Sequence, residues 1–300
     1  FVPNSATAVP AAVTDIRSLT FKCLGSSIGF VRAAADYIAD ADQVPLGCVE
    51  QAGALAPALA SLRAFSTSLR LLRSNGLSLQ NSLILHRTYT DGAITHLLRS
   101  GVISLADCRT WDAEVASFWA SELGRPLGTD QAVQLFLPMR DGGLGFQSAE
   151  WRRAPAALGS WALCLQQIVG PLRFHTVTEF RTACPFVVSA IDRWRSELGF
   201  DYSFDWVACF SKSVQRGQRM IMQEVLMWKS RRLYLLLSES DRIDVLSSGG
   251  PGAGAFLLLP TIDAHRMSDE LFTVSLRRRL RFPEPTRAVP SAGPTHCNHR

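Results

Sequence analysis

Leu137-Pro138-Met139-Arg140-Asp141-Gly142-Gly143-Leu144-Gly145-Phe146 interrupts a chain whose flanking stretches both read as helix. Pro138 fixes its own φ and pushes Leu137 towards extended backbone. Asp141-Gly142-Gly143 is a turn signal, because glycine takes positive φ without steric cost. Leu144 and Phe146 then place two apolar side chains around Gly145. The stretch holds no nucleophile and no set of metal ligands. Its chemistry is that of a tight structural junction, where backbones approach closely or a loop tucks under a domain.

Upstream of the junction, Val49, Leu55, Leu59, Leu62, Phe65, Leu69 and Leu72 recur at three- and four-residue steps. That period predicts a helix over 48–74, stopped by Asn75-Gly76. Arg63, Arg70 and Arg73 punctuate it, and Arg70 and Arg73 share a face. A further helix begins over Leu79–His86, Asp91 is a candidate cap for one through Leu98, and Ser104 for the longest, ending at Leu123. The stripe Leu105, Cys108, Trp111, Val115, Phe118 and Trp119 has core spacing. Residues 130–137 form a short helix or turn.

Downstream, 148–168 reads as an Ala-rich helix with Pro155 near its first turns. Thr176–Leu198 gives one or two helices interrupted at Pro185. Lys212–Leu237 gives a long helix that sets Lys212, Arg216 and Arg219 on one stripe, which a solvated charged face would also explain. Ser247–Gly254 is a flexible linker or turn, and Ser268 caps a helix ending in Arg277-Arg278-Arg279-Leu280-Arg281. Near the N-terminus, Leu19–Leu24 alternates like a short strand, and a helix is expected from Phe30 to about Ile38. The fold class expected is mainly α, bundle-like, with a few short strands near residues 19–28.

The net charge is +5, and only Lys22, Lys212 and Lys229 among 31 basic residues are lysines. Arginine suits bidentate phosphate contacts. A GC-rich coding sequence also favours arginine, so composition leaves phosphate contact and plain solvated surface both open. No apolar run approaches membrane-spanning length, and no secretory signal is visible. The seven cysteines are scattered without a C-x-x-C pair, which points to a reducing, intracellular compartment, nucleus or cytoplasm. With Phe1 rather than Met at its start, the chain is expected to be a fragment or to have a trimmed N-terminus.

Two enzyme signatures are missing from the sequence: there is no H-E-x-x-H and no dinucleotide loop. The glycines of 247–254 lack the G-K-[ST] of a phosphate loop. No cofactor and no small-molecule partner is expected. Asp40-x-Asp42 has the form of a Mg²⁺ site but reads equally as a solvated loop, and the zinc candidate His296-Cys297-x-His299, carried by Cys297 and His299, falls short of the four ligands of a structural site.

Several blocks, in order, resemble the reverse transcriptases of non-LTR (LINE-type) retrotransposons, in the region after the catalytic palm. Phe21–Gly29 looks like the "LGxxIG" segment, and Leu69–Ser74 like the helix that begins the thumb. Gln131–Gly145 resembles the "Q…LP.R.GGLG" block, and Ala154–Trp161 the "A.AA..GSWA" helix. Gly252–Phe256 with Leu259-Pro260, then Ser268–Leu280, resembles the stretch before a downstream Cys/His-rich segment. The resemblance covers about residues 20–299. It implies an end-of-palm segment over 1–47, a thumb-like region over 48–130, a connector over 131–246, and a linker, basic helix and cut-off Cys/His tail over 247–300.

The implied role is non-catalytic: to contact the phosphate backbone of an RNA/DNA duplex through Arg63, Arg70, Arg73, Arg140, Lys212, Arg216 and Arg219. The family's Y-x-D-D aspartates, which hold Mg²⁺, do not occur in this sequence, so the chain is not expected to polymerise. Zinc is implied only for a segment beyond Cys297-x-His299. A helical protein-interaction scaffold without a nucleic-acid role, and an inert transposon relic, stay open beside this reading.

Overall fold

The computed structural model describes residues 21–23, 26–28, 30–32, 43–45, 50, 53–168, 175–210, 217–260, 262 and 265–283. The protein is mainly α, as its periodicity predicts. Two short antiparallel backbone pairs precede the helices: β1 (Phe21–Cys23) with β2 (Ser26–Ile28), and β3 (Phe30–Arg32) with β4 (Gln43–Pro45). The helix expected from Phe30 is thus a strand at its first residues.

The helices are α1 (Ala56–Ser74), α2 (Leu79–Ala93), α3 (Thr95–Ser100), α4 (Leu105–Glu122), α5 (Thr129–Phe136) and α6 (Ala149–Ile168). They continue as α7 (Val177–Ala183), α8 (Pro185–Glu197), α9 (Trp206–Phe210), α10 (Gly217–Leu236), α11 (Glu239–Ser247) and α12 (Asp269–Arg279). Helix α1 starts later than its apolar period suggests, because Gly53 at φ +75° makes a turn and Pro57 suits only a first helical turn. It stops as expected, with Gly76 at φ +99°. Asp91 does not cap a helix. It lies inside α2, and its carboxylate takes Arg152 at 2.8 Å. Ser104 does cap α4, accepting from the Asp107 N–H at 3.0 Å, and Ser268 caps α12. Helix α11, capped by Ser238, went unread because its charged residues show no apolar stripe.

The chain forms two compact units interleaved in sequence. One draws on residues up to 67, 88–115 and 147–229, and the other on 68–87, 116–146 and from 230 onward. Boundaries read along the chain at 130 or 246 therefore do not coincide with boundaries between units.

The first unit is built around α6, whose Ala154, Ala156, Ala157 and Leu158 are buried. Its small residues allow close approach: a Cβ on Gly159 would fall 2.5 Å from the Gln218 side chain. Arg153 of α6 is fully buried, donating to the Ile103 carbonyl at 2.6 Å and pairing with Glu50 and Glu197. The start of α6 is capped by Asp112, whose carboxylate accepts from Ser148 Oγ and from the Ala149 and Glu150 N–H groups.

The second unit is organised by the turn after α5. Pro138 leads into a 3₁₀ turn at Met139–Asp141, and Gly142 takes φ +83°. The Gly143 N–H returns to the Pro138 carbonyl at 3.0 Å, and the Gly145 N–H to the Leu137 carbonyl at 2.9 Å. A Cβ on Gly143 would lie 2.0 Å from the Leu137 carbonyl oxygen.

This folded-back turn points carbonyls inward, and buried side chains satisfy them. Arg279 donates from Nε to the Gly143 carbonyl (3.0 Å), from Nη1 to Ala253 (3.1 Å) and from Nη2 to Met139 (2.6 Å). Gln134 Nε2 donates to the Gly142 and Arg279 carbonyls at 2.9 and 2.6 Å. Arg87 donates to Leu144 at 3.1 Å and to Leu257 at 3.2 Å. The glycine-rich 248–254 stretch is part of this assembly rather than a loose linker, since the Gly250 N–H donates to the Arg140 carbonyl at 2.8 Å.

Two glycine substitutions separate the turn from ordinary chain. Gly143→Ala is expected to destabilise the protein by about 3 kcal/mol or more, because backbone atoms cannot yield to the new methyl. Gly92→Ala, in open space on α2, is expected to be neutral or to stabilise by about 0.5 kcal/mol. Urea unfolding of both variants checks the contrast.

Candidate nucleic-acid interface

The arginines expected to meet phosphate sit in different surroundings. In the first unit, Arg63 of α1 donates from Nε to Glu114 of α4 at 2.7 Å, and its side chain is largely exposed. Arg219, at the start of α10, is exposed. Lys212 and Arg216, the rest of the expected stripe, lie outside the described residues, as do Cys297 and His299. In the second unit, Arg70 and Arg73 of α1 converge on Glu122, at 3.6 and 2.9 Å.

Helical spacing groups the partners on one face of each helix, and the packing of α1 beside α4 brings them together. Arg70 and Arg73 are three residues apart and so share a face, and Phe118 and Glu122 are four apart on α4. Arg73 is the more tightly engaged. It also reaches Asp269 at 3.0 Å and is only 21% exposed. Arg70 lies over the Phe118 ring, 5.0 Å from its centroid, and keeps 48% of its side chain exposed. Arg140 is 67% exposed beside Asp141, while its carbonyl is held by Gly250, so a rigid turn carries a projecting guanidinium.

The basic run at the end of α12 divides by position. Arg277 donates to the Leu123 carbonyl at the end of α4, Arg279 to the turn, and Arg281 to Gln134 Oε1 at 3.2 Å. Only Arg278 of this run faces solvent. It and Arg231 of α10 make no ion pair among the described residues, and neither was among the residues expected to meet phosphate. A signal for Arg278 was present: Phe272, Leu276 and Arg279 mark the inward face of α12, leaving 271, 274 and 278 outward. The sequence carries no comparable signal for Arg231.

Arg279 is the unusual cation of the set. Its hydrogen bonds go to carbonyls, and burial pushes its pKa down to about 10, so it remains charged at neutral pH. Among the described residues, no group of His, Cys, Asp or Glu side chains is arranged to hold a metal ion. No described helix is long and apolar enough to cross a membrane.

Behind Arg70 stands an aromatic cluster. The His86 ring lies 4.4 Å from Phe118 and 5.8 Å from Phe146 of the turn, and its Nδ1 accepts from Trp119 Nε1 at 3.0 Å. His86 is fully buried. Burial first, then the charge on Arg70, push its pKa down to about 4. In comparisons with known proteins, the chain matches no family model, no curated protein and no solved structure.

A neutral, buried His86 gives stability a pH dependence of defined sign. The unfolded chain binds its proton near pH 6.5 and the folded one near 4, so the contribution is complete above 6.5 and falls away from 6.5 to 4. The loss by pH 4 is about 3 kcal/mol. Asp112, raised to about 7 mainly by burial, acts in the opposite direction over the same range. The His86 effect is therefore read as the difference between wild type and His86→Gln in urea midpoints at pH 7, 5.5 and 4. The wild type is expected to lose its advantage over the variant as the pH falls.

Proposed function

We propose that this chain is a thumb-and-connector region of the kind found in non-LTR reverse transcriptases, and that it grips an RNA/DNA duplex through its phosphates without performing polymerase chemistry. One observation carries the reading. The blocks at 131–145 and 252–280 resemble the same family for independent reasons of sequence, and they are joined in space by Arg279, Gln134 and Arg87.

The phosphate contacts are assigned to the guanidiniums that keep open edges: Arg70, Arg140 and Arg219, with Arg231 and Arg278 added to the original set. Arg63 takes part at the cost of sharing Glu114, and Arg73 chiefly holds α1 in place. A second reading, a helical protein-interaction scaffold, draws on Leu235 and Leu236 of α10, which are 82% and 66% exposed.

Salt dependence separates the two. Duplex binding through about five phosphate contacts weakens about five-hundredfold between about 50 and about 200 mM salt. Arg140→Ala, Arg219→Ala and Arg278→Ala are each expected to lower the slope of log affinity against log salt by about one without changing the unfolding midpoint. Fluorescence anisotropy with a labelled RNA/DNA hybrid measures this. No binding at low salt would refute the duplex reading and leave the scaffold.

A further inference from the structure

We infer that Glu122 acts as an internal stand-in for phosphate on Arg70, an exchangeable counter-ion that restrains duplex binding in the free protein. The inference rests on the duplex-contact reading and deepens it at one site.

The distances decide which bond is fixed and which exchanges. Glu122 receives Arg73 Nε at 2.9 Å but Arg70 Nε at 3.6 Å. Arg73 is anchored a second time by Asp269 Oδ2 at 3.0 Å, and Asp269 Oδ1 in turn accepts the Leu79 N–H at 2.8 Å. This chain of contacts fixes the carboxylate from one side. The Glu122 side chain is 11% exposed and cannot swing freely into solvent.

Arg70 is placed differently. Its guanidinium lies over Phe118, which His86 backs at 4.4 Å, so the group has a packed platform before any ligand arrives. Its longer contact to Glu122 is the weaker one. With half the side chain in solvent, a phosphate oxygen can approach the free edge and replace the carboxylate as partner. Arg73 retains Glu122 when this happens, so no carboxylate is left without a cation. Phe118 and Glu122 are thus positioning residues and Arg70 the contacting one.

The full chain is tested by anisotropy with an RNA/DNA hybrid across a salt series, using wild type, Glu122→Gln, Arg70→Ala and the double variant. Glu122→Gln keeps the shape of the side chain and removes its charge. It is expected to bind the hybrid about two- to fivefold more tightly than wild type. Arg70→Ala is expected to bind more weakly, with its salt slope reduced by about one. In the Arg70→Ala background, Glu122→Gln is expected to gain nothing.

An equal gain in both backgrounds would mean a general charge effect and overturn the inference, as would wild-type affinity in Glu122→Gln. Thermal unfolding checks that each variant folds. Should Glu122→Gln fail to fold, Phe118→Leu against Phe118→Tyr replaces it: loss of affinity and slope in Leu with retention in Tyr supports the platform, and equal behaviour overturns it. Absence of binding by the wild type and every variant overturns the duplex reading itself, which is a separate outcome.

Discussion

The second unit depends on one buried cation that meets backbone rather than carboxylate. Arg279 closes three carbonyls, those of Met139, Gly143 and Ala253, which come from two stretches more than a hundred residues from one another. A guanidinium fits this task because its donors spread in a rigid plane. A lysine in its place would present a compact ammonium and leave carbonyls unpaired in a buried setting. The turn supplies the acceptors because glycine lets the chain fold back on itself: with Gly143 lacking a Cβ, the Leu137 carbonyl can sit where a methyl would otherwise be.

Arginine-richness has a double meaning in this protein. Arg87, Arg277 and Arg279 donate to backbone carbonyls, and Arg152 and Arg153 bind buried or half-buried carboxylates within the first unit. These guanidiniums replace hydrogen bonds that loops would otherwise take from water. Among the described residues, only a minority of the cations, Arg278 among them, face outward without an ion pair. A net charge of +5 therefore overstates the charge available to a polyanion. The phosphate-contact proposal rests on the position of particular guanidiniums and on the shared folding of its two sequence blocks.

The helices whose limits depend on local chemistry were legible. Ser104 and Ser268 cap where a side-chain hydroxyl precedes an apolar period, Gly76 ends α1 through its positive φ, and Pro185 divides α7 from α8. The 137–146 stretch was legible as a tight junction, but its partners were not, because nothing local in Gly143 announces a residue at position 279. Asp91 misled for the same reason: its side chain suits a cap, and Arg152 from a distant helix claimed it. Glu122 left no sign in the sequence either. Its importance comes from α1 and α4 lying side by side, which no spacing within either helix reports.

The direct test is hydrogen exchange, followed by mass spectrometry, on wild type and Arg279→Met. The substitution keeps bulk and removes every donor. If Arg279 holds the unit together, peptides covering 138–146, 249–258 and 269–282 lose protection together in the variant, while peptides from α6 and α8 keep theirs. Loss confined to the end of α12, with the 138–146 turn still protected, would contradict the account.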